Sequence, residues 1–297
     1  MKNIILVMLS CVLLMTACNK QNENTMVNVR IDFSGLSIST EAMKTSDQDA
    51  NGAAVKRIVL SIYDMNDNLI DSYTQNKDTD PTTFGQAITI RIPVGSYKFV
   101  AVAHNVAETT DAAATINSAT EVSLGALTKL TPTYTKVQEV TIAGNTSQSV
   151  VVDFGTRRNA LFSVHITDVT PDDVQKLQLI ANPTGSDYTN LLVNPATGLA
   201  ASSWRYSKTY ALSEIGLTTF TGTDFGVPLM LTAATQSLTV TINALASDNS
   251  VLYTRTLTSV PFQQAHRTLA TGTFFSSNSS SSFVFDITQT TDDISLD

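Results

Sequence analysis

From Met26 the side chains alternate, with Val27, Val29, Ile31 and Phe33 on one side and Asn28, Arg30, Asp32 and Ser34 on the other. This period of two buries one face of a strand and wets the other. The pattern returns down the chain in runs rich in β-branched and aromatic residues. These cover 55–64, 69–74, 87–92, 97–103, 137–142 and 150–154, and then 160–166, 176–181, 204–212, 228–232, 238–245, 251–257, 268–275 and 283–288. Asn66-Asp67-Asn68, Pro93-Val94-Gly95 and Gly144-Asn145 punctuate them as turns. No helical period of useful length competes; 111–118 could form at most a short helical turn. Many short strands with regular turns predict an all-β chain of sandwiches or barrels. A break at Gly155-Thr156-Arg157-Arg158-Asn159 divides it into domains at 26–155 and 156–297.

The N-terminus constrains location rather than fold. Residues 1–17 have a short basic start at Lys2 and an apolar stretch through Leu14, and are too short to stay as a spanning helix. Thr16-Ala17-Cys18 resembles a lipobox, which makes Cys18 the acylated first residue of the mature protein. Two or three acyl chains, at about 0.8 kcal/mol per methylene, form an anchor that does not readily dissociate. The polar residues 18–25 then read as a tether. The expected location is the cell surface, on an outer membrane reached through that lipid.

Composition removes several classes of activity. The chain has two cysteines, Cys11 inside the signal and Cys18 at its end, so disulfides, thiol catalysis and a cysteine metal site are not expected in the mature protein. Loss of Lys2 takes the formal net charge from -8 to -9. No basic cluster exceeds the pairs Lys56-Arg57 and Arg157-Arg158, which argues against nucleic acid as a partner. His104, His165 and His266 are far apart in sequence, with no ligand spacing, so no metal or other cofactor is expected; His165 reads as an exposed strand residue. No nucleophile elbow, phosphate loop or zinc-protease helix occurs. Asp172-Asp173 and Asp292-Asp293 are neighbours in sequence and cannot face each other across a cleft on a strand. Asp64 to Asn68 alternates oxygen ligands but lacks the glycine and glutamate of a calcium loop, and reads as a hairpin turn. An enzyme is not expected.

Several strings carry a family resemblance. Val55-Lys56-Arg57-Ile58-Val59-Leu60-Ser61-Ile62-Tyr63-Asp64, the run from Ile90 through Pro93-Val94-Gly95-Ser96-Tyr97 to Asn105, and Val260-Pro261 with His266 through Phe275 resemble the FimA/Mfa1 and FimB/Mfa2 fimbrillin family of Bacteroidetes type V pili. The resemblance implies two tandem transthyretin-like, Greek-key β-sandwiches and a role in pilus assembly and cell adhesion, with other fimbrial subunits as partners. It also implies donor-strand complementation, in which a trypsin-like cut after the first strand releases that strand and opens a groove. Here the strand to be lost carries Val27, Val29, Ile31 and Phe33, and the loop to be cut spans 39–52. Lys44 is the only basic residue of that loop, which puts the scissile bond before Thr45. Arginine is the usual residue there, and if the strand stays the protein resembles a membrane-held anchor subunit.

Two further expectations concern binding. Phe283, Phe285 and Ile287 alternate after a serine-rich run and form either a closing strand or a detachable donor strand; the closing strand is the favoured reading, since its removal would expose a core edge. The alternative function is a surface glycan-binding lipoprotein. It would use Trp204, Tyr206 and Tyr210 as an aromatic platform, although such residues on one strand face are more often core. A host glycan or protein is the partner it would add.

Overall fold

The computed structural model describes residues 25–34, 55–106, 113–125, 131–144, 146–187, 190–276 and 283–289. The signal, Cys18, the 39–52 loop with Lys44 and Thr45, and the acidic tail lie outside them.

The first half supplies β1 (Met26–Ser34), β2 (Arg57–Asp64), β3 (Leu69–Asn76), β4 (Ile88–Pro93), β5 (Gly95–His104), β6 (Thr115–Ser118), β7 (Glu121–Leu124), β8 (Thr133–Ile142) and β9 (Gln148–Asp153). The second supplies β10 (Ala160–Ile166), β11 (Lys176–Ala181), β12 (Leu191–Val193), β13 (Tyr206–Ala211), a one-turn helix α1 (Leu212–Ile215), β14 (Asp224–Leu229), β15 (Thr235–Leu245), β16 (Val251–Gln263), β17 (His266–Gly272) and β18 (Val284–Gln289).

Each half folds into two facing sheets. In the first, β4-β1-β9 packs on β3-β2-β5-β8; in the second, β14-β10-β17-β18 packs on β13-β11-β15-β16. The expected all-β tandem sandwich is therefore what the chain forms. The alternation read in the sequence is the reason: Val27, Val29, Ile31, Ile90, Ile92 and Val152 from one sheet meet Leu60, Ile62, Phe99, Ala101 and Ile142 from the other in one dry core. A fully buried side chain of this size is worth about 1.5–3 kcal/mol. Between β4 and β5 the chain changes sheet at Pro93, and the Tyr97 hydroxyl donates to the Pro93 carbonyl at 2.9 Å, holding that corner.

The two halves share one strand plan. β1 pairs antiparallel with β4 and parallel with β9, and β10 pairs antiparallel with β14 and parallel with β17. The opposed sheets match strand for strand in the same way. Insertions break the equivalence: the β6–β7 hairpin lies between β5 and β8, β12 and α1 flank β13 in the second half, and β18 adds a strand beyond β17.

That hairpin crosses to the second half. β7 pairs antiparallel with β12, placing Val122 opposite Val193 and Leu124 opposite Leu191. Ala114, Val122 and Leu124 are buried in the same cluster as Phe162, Leu177 and Phe225. The linker is stitched down as well. Arg158 donates its backbone N–H to the Thr133 carbonyl at 2.8 Å and its guanidinium to the Thr135 carbonyl at 3.0 and 3.2 Å. The Thr133 N–H in turn donates to Asn159 Oδ1 at 2.7 Å.

Two local expectations are corrected. The helical turn read at 111–118 gives way to β6 over its described part, because Ile116 pairs with Val122 in the hairpin. Of the run read at 228–232 only Pro228 and Leu229 are strand, the end of a β14 that begins at Asp224; Pro228 is tolerated there because β14 is an edge strand, where a missing N–H removes no ladder bond on the open side.

Candidate strand-exchange site

β1 is the strand whose release the family resemblance implies, and it occupies the least accessible position in its sheet. It lies between β4 and β9, pairing with β4 from Met26 to Ile31 and with β9 from Val29 to Ser34, so that Val29 to Ile31 are paired on both edges. Val27, Val29 and Ile31 are buried, and Phe33 is half-buried against Phe154 at 6.4 Å between ring centroids. The outer face is tied too. Arg30 donates to both Asp32 carboxylate oxygens at 3.1 and 2.9 Å, and the Ser149 hydroxyl of β9 donates to Asp32 at 3.3 Å. The hydrogen bond from Arg30 holds the Asp32 carboxyl below the usual range. Lost β1 would leave an apolar trench flanked by two unsatisfied strand edges, which suits an alternating strand.

β18 sits in the opposite situation. Among the described residues it pairs on one side only, antiparallel to β17, with Phe285 opposite Ala270 and Ile287 opposite Thr268. Val284 is 68% exposed and Ile287 40%, while Phe283 and Phe285 are half-buried at the margin of the second core. Its hold on the sandwich is the ladder to β17 together with the packing of Phe283 and Phe285 at the core margin. β1 and β18 belong to different sandwiches, so the two groups of strand residues singled out in the sequence are not brought together.

The structure adds a feature that the sequence did not signal. Asp168, just after β10, receives the N–H groups of Phe274, Phe275 and Ser276, each at 2.7 Å, and the Ser276 hydroxyl at 2.9 Å. Burial pushes its carboxyl up, and those four donors outweigh it, leaving the acid below its ordinary range. Arg255 grips the same segment from its carbonyls, at Phe274 O (3.3 Å) and Ser276 O (2.7 Å). The chain leading to β18 is thus fixed at Ser276. Asp168 and Phe274 are 106 residues apart, so no local pattern could announce the clamp.

The other candidates resolve into structural roles. Trp204, Tyr206 and Tyr210 are buried, and the two tyrosine hydroxyls donate to Met230 O and Gly226 O, so they present no aromatic platform to solvent. Asp64 accepts the N–H groups of Asn66 and Asn68 at 2.8 and 2.9 Å, the Asx turn of a hairpin. His165 is bonded to Asp224 at 2.6 Å, and the same carboxylate receives Arg267. Among the described residues no group of three or more histidine, cysteine, aspartate or glutamate side chains is placed to hold a metal ion, and no helix is long and apolar enough to cross a membrane.

Comparison with known proteins follows the same lines. A family model described as fimbrillin-A associated anchor proteins Mfa1 and Mfa2 matches residues 16–267. The tip fimbrial protein Mfa3 of Porphyromonas gingivalis, solved with a C-terminal truncation, is similar in fold at a TM-score of 0.50 and 11% identity, covering 89% of this chain and 99% of that one. A candidate polysaccharide-binding protein of Bacteroides thetaiotaomicron VPI-5482 has the same TM-score of 0.50 at 12% identity, covering 83% and 91%. A candidate cell adhesion protein of Bacteroides uniformis gives 0.49 at 14% identity, covering 90% and 100%. No curated protein matches the sequence.

Proposed function

Because the chain belongs to the family of fimbrillin-A associated anchor proteins Mfa1 and Mfa2, we propose that it is a fimbrial subunit held on the outer membrane by acylated Cys18, joined to neighbouring subunits by strand complementation and serving adhesion. In this reading β1 is retained and β18 is the strand offered to a neighbour. The observation that carries it is the contrast between the two. β1 is paired on both edges and buries Val27, Val29 and Ile31, whereas β18 is paired on one edge with Val284 and Ile287 in solvent. Extracting β1 without a cut would open a core; extracting β18 gives up an edge ladder and the margins of Phe283 and Phe285. The 39–52 loop carries Lys44 where arginine is the usual residue of the resembled family, which counts against the cut.

The test is the N-terminus and intact mass of the protein recovered from the bacterial surface. An acylated Cys18 as the sole N-terminus is the expected result. A new N-terminus at Thr45 with the lipid gone would overturn the anchored reading and make the protein a polymerising pilin with an opened groove.

A further inference from the structure

The duplicated strand plan leaves one position filled in the second sandwich and open in the first. In the second, the strand parallel to the centre, β17, carries β18 on its outer edge. In the first, the corresponding strand β9 pairs with β1 and, among the described residues, with no strand on its other side. We propose that the outer edge of β9 is a strand-binding site for the β18 of a second copy of this chain, used with β1 still in place. This rests on the reading of β18 as an offered strand, and adds an acceptor that needs no proteolysis.

The register follows from the shared plan. Val27, Val29 and Ile31 of β1 lie opposite Ile92, Ile90 and Ile88 of β4; Ala160, Phe162 and Val164 of β10 lie opposite Leu229, Val227 and Phe225 of β14. Matching these makes Ile31 equivalent to Val164, and hence Val150 on β9 equivalent to Ala270 on β17. Ala270 faces Phe285 and Thr271 faces Val284 in the filled sheet. An incoming β18, antiparallel to β9, then sets Phe285 opposite Val150, Val284 opposite Val151, Asp286 opposite Ser149 and Ile287 opposite Gln148.

The side chains suit this placement. In this register four rungs fall inside both strands, Gln148 to Val151 against Ile287 to Val284. Val151 is 51% exposed and Val284 68%, two β-branched residues on the water side that pairing would cover together. Val150 and Phe285 fall on the core side, where Phe285 already lies at home. Such a contact is heterologous, since the edge offered and the edge used lie in different sandwiches, so it extends from copy to copy instead of closing on a pair.

Covalent capture tests the site in the full chain carrying Cys11→Ser and Cys18→Ser, which has no thiol of its own. The probe is a synthetic peptide of residues 283–289 with Val284→Cys, offered to chains bearing Val151→Cys or, as a control on another edge strand, Leu69→Cys, whose native side chain is 57% exposed. The expected result is at least about ten-fold more disulfide adduct at position 151 than at 69, lost when the peptide also carries Asp286→Pro, which removes a ladder donor. Mixed Val151→Cys and Val284→Cys chains should then give a disulfide-linked pair. Equal capture at both positions overturns the proposal as indiscriminate edge pairing. Absence of capture at 151 overturns it in favour of an edge covered by the chain's own residues. Peptide capture without the chain-to-chain link overturns the second copy as the occupant. None of these outcomes alters the N-terminal mass result, so anchoring and edge binding stand or fall separately.

Discussion

His104 closes β5 with its ring wholly enclosed, and Nδ1 accepts the Val106 N–H at 3.1 Å. An accepting nitrogen must be unprotonated, so the fold uses the neutral ring. Burial and then the nearby Arg57 charge push its pKa down to about 3. The direction sets the pH dependence. The unfolded chain takes up a proton below about pH 6.5 and the folded one does not, so the contribution is complete above that value and drains away as pH falls toward 3. By pH 5 the loss is about 2 kcal/mol relative to neutral pH. Urea unfolding of the wild type and of His104→Gln at pH 7 and pH 5 checks this. The variant should be less stable at pH 7 and should lose about 2 kcal/mol less than the wild type on acidification; parallel losses would show that another group carries the slope.

At the scale of elements, the contrast between β1 and β18 has a direct energetic consequence. Ile31 is fully buried in the central strand, and Ile31→Ala should cost about 2–5 kcal/mol. Ile287 is 40% exposed on a rim strand, and Ile287→Ala should cost under about 1 kcal/mol. Denaturant midpoints of the two variants measure the gap, and similar losses would mean that β18 is as much a part of the core as β1. Both strands were legible in the sequence because large apolar residues recur at every second position in each, a signal that survives without knowledge of neighbours. Their neighbours were not legible. β1 pairs with β9 from the far end of the same sandwich, and register across such a distance is set by tertiary packing. The strands β6, β7 and β12 were missed because four or three residues cannot display a period. Pro228 misplaced β14, since a proline reads as a break unless the strand is known to be an edge. The Asp168–Arg255 clamp was invisible for the same reason as the pairing: it exists only once β10, β16 and the chain after β17 are brought together.

For the whole molecule, the β6–β7 hairpin decides whether two sandwiches behave as one body. Its Leu124 belongs to the first half by sequence and to the second by packing, fully buried in the cluster with Phe162, Leu191 and Phe225. The ladder from β7 to β12 and the Thr133–Asn159 hydrogen bond run alongside it, so the halves are joined by backbone pairing, apolar burial and a capped linker at once. Coupling through a shared core predicts a cross-boundary effect. Leu124→Ala should lower the stability of the second sandwich by about 2–5 kcal/mol, although the residue lies outside it in sequence. Hydrogen exchange resolves the outcome. Loss of protection in β11 and β15 to the same extent as in β7 is expected from a shared core, whereas a change confined to β6 and β7 would mean that the hairpin rests on the second sandwich without supporting it.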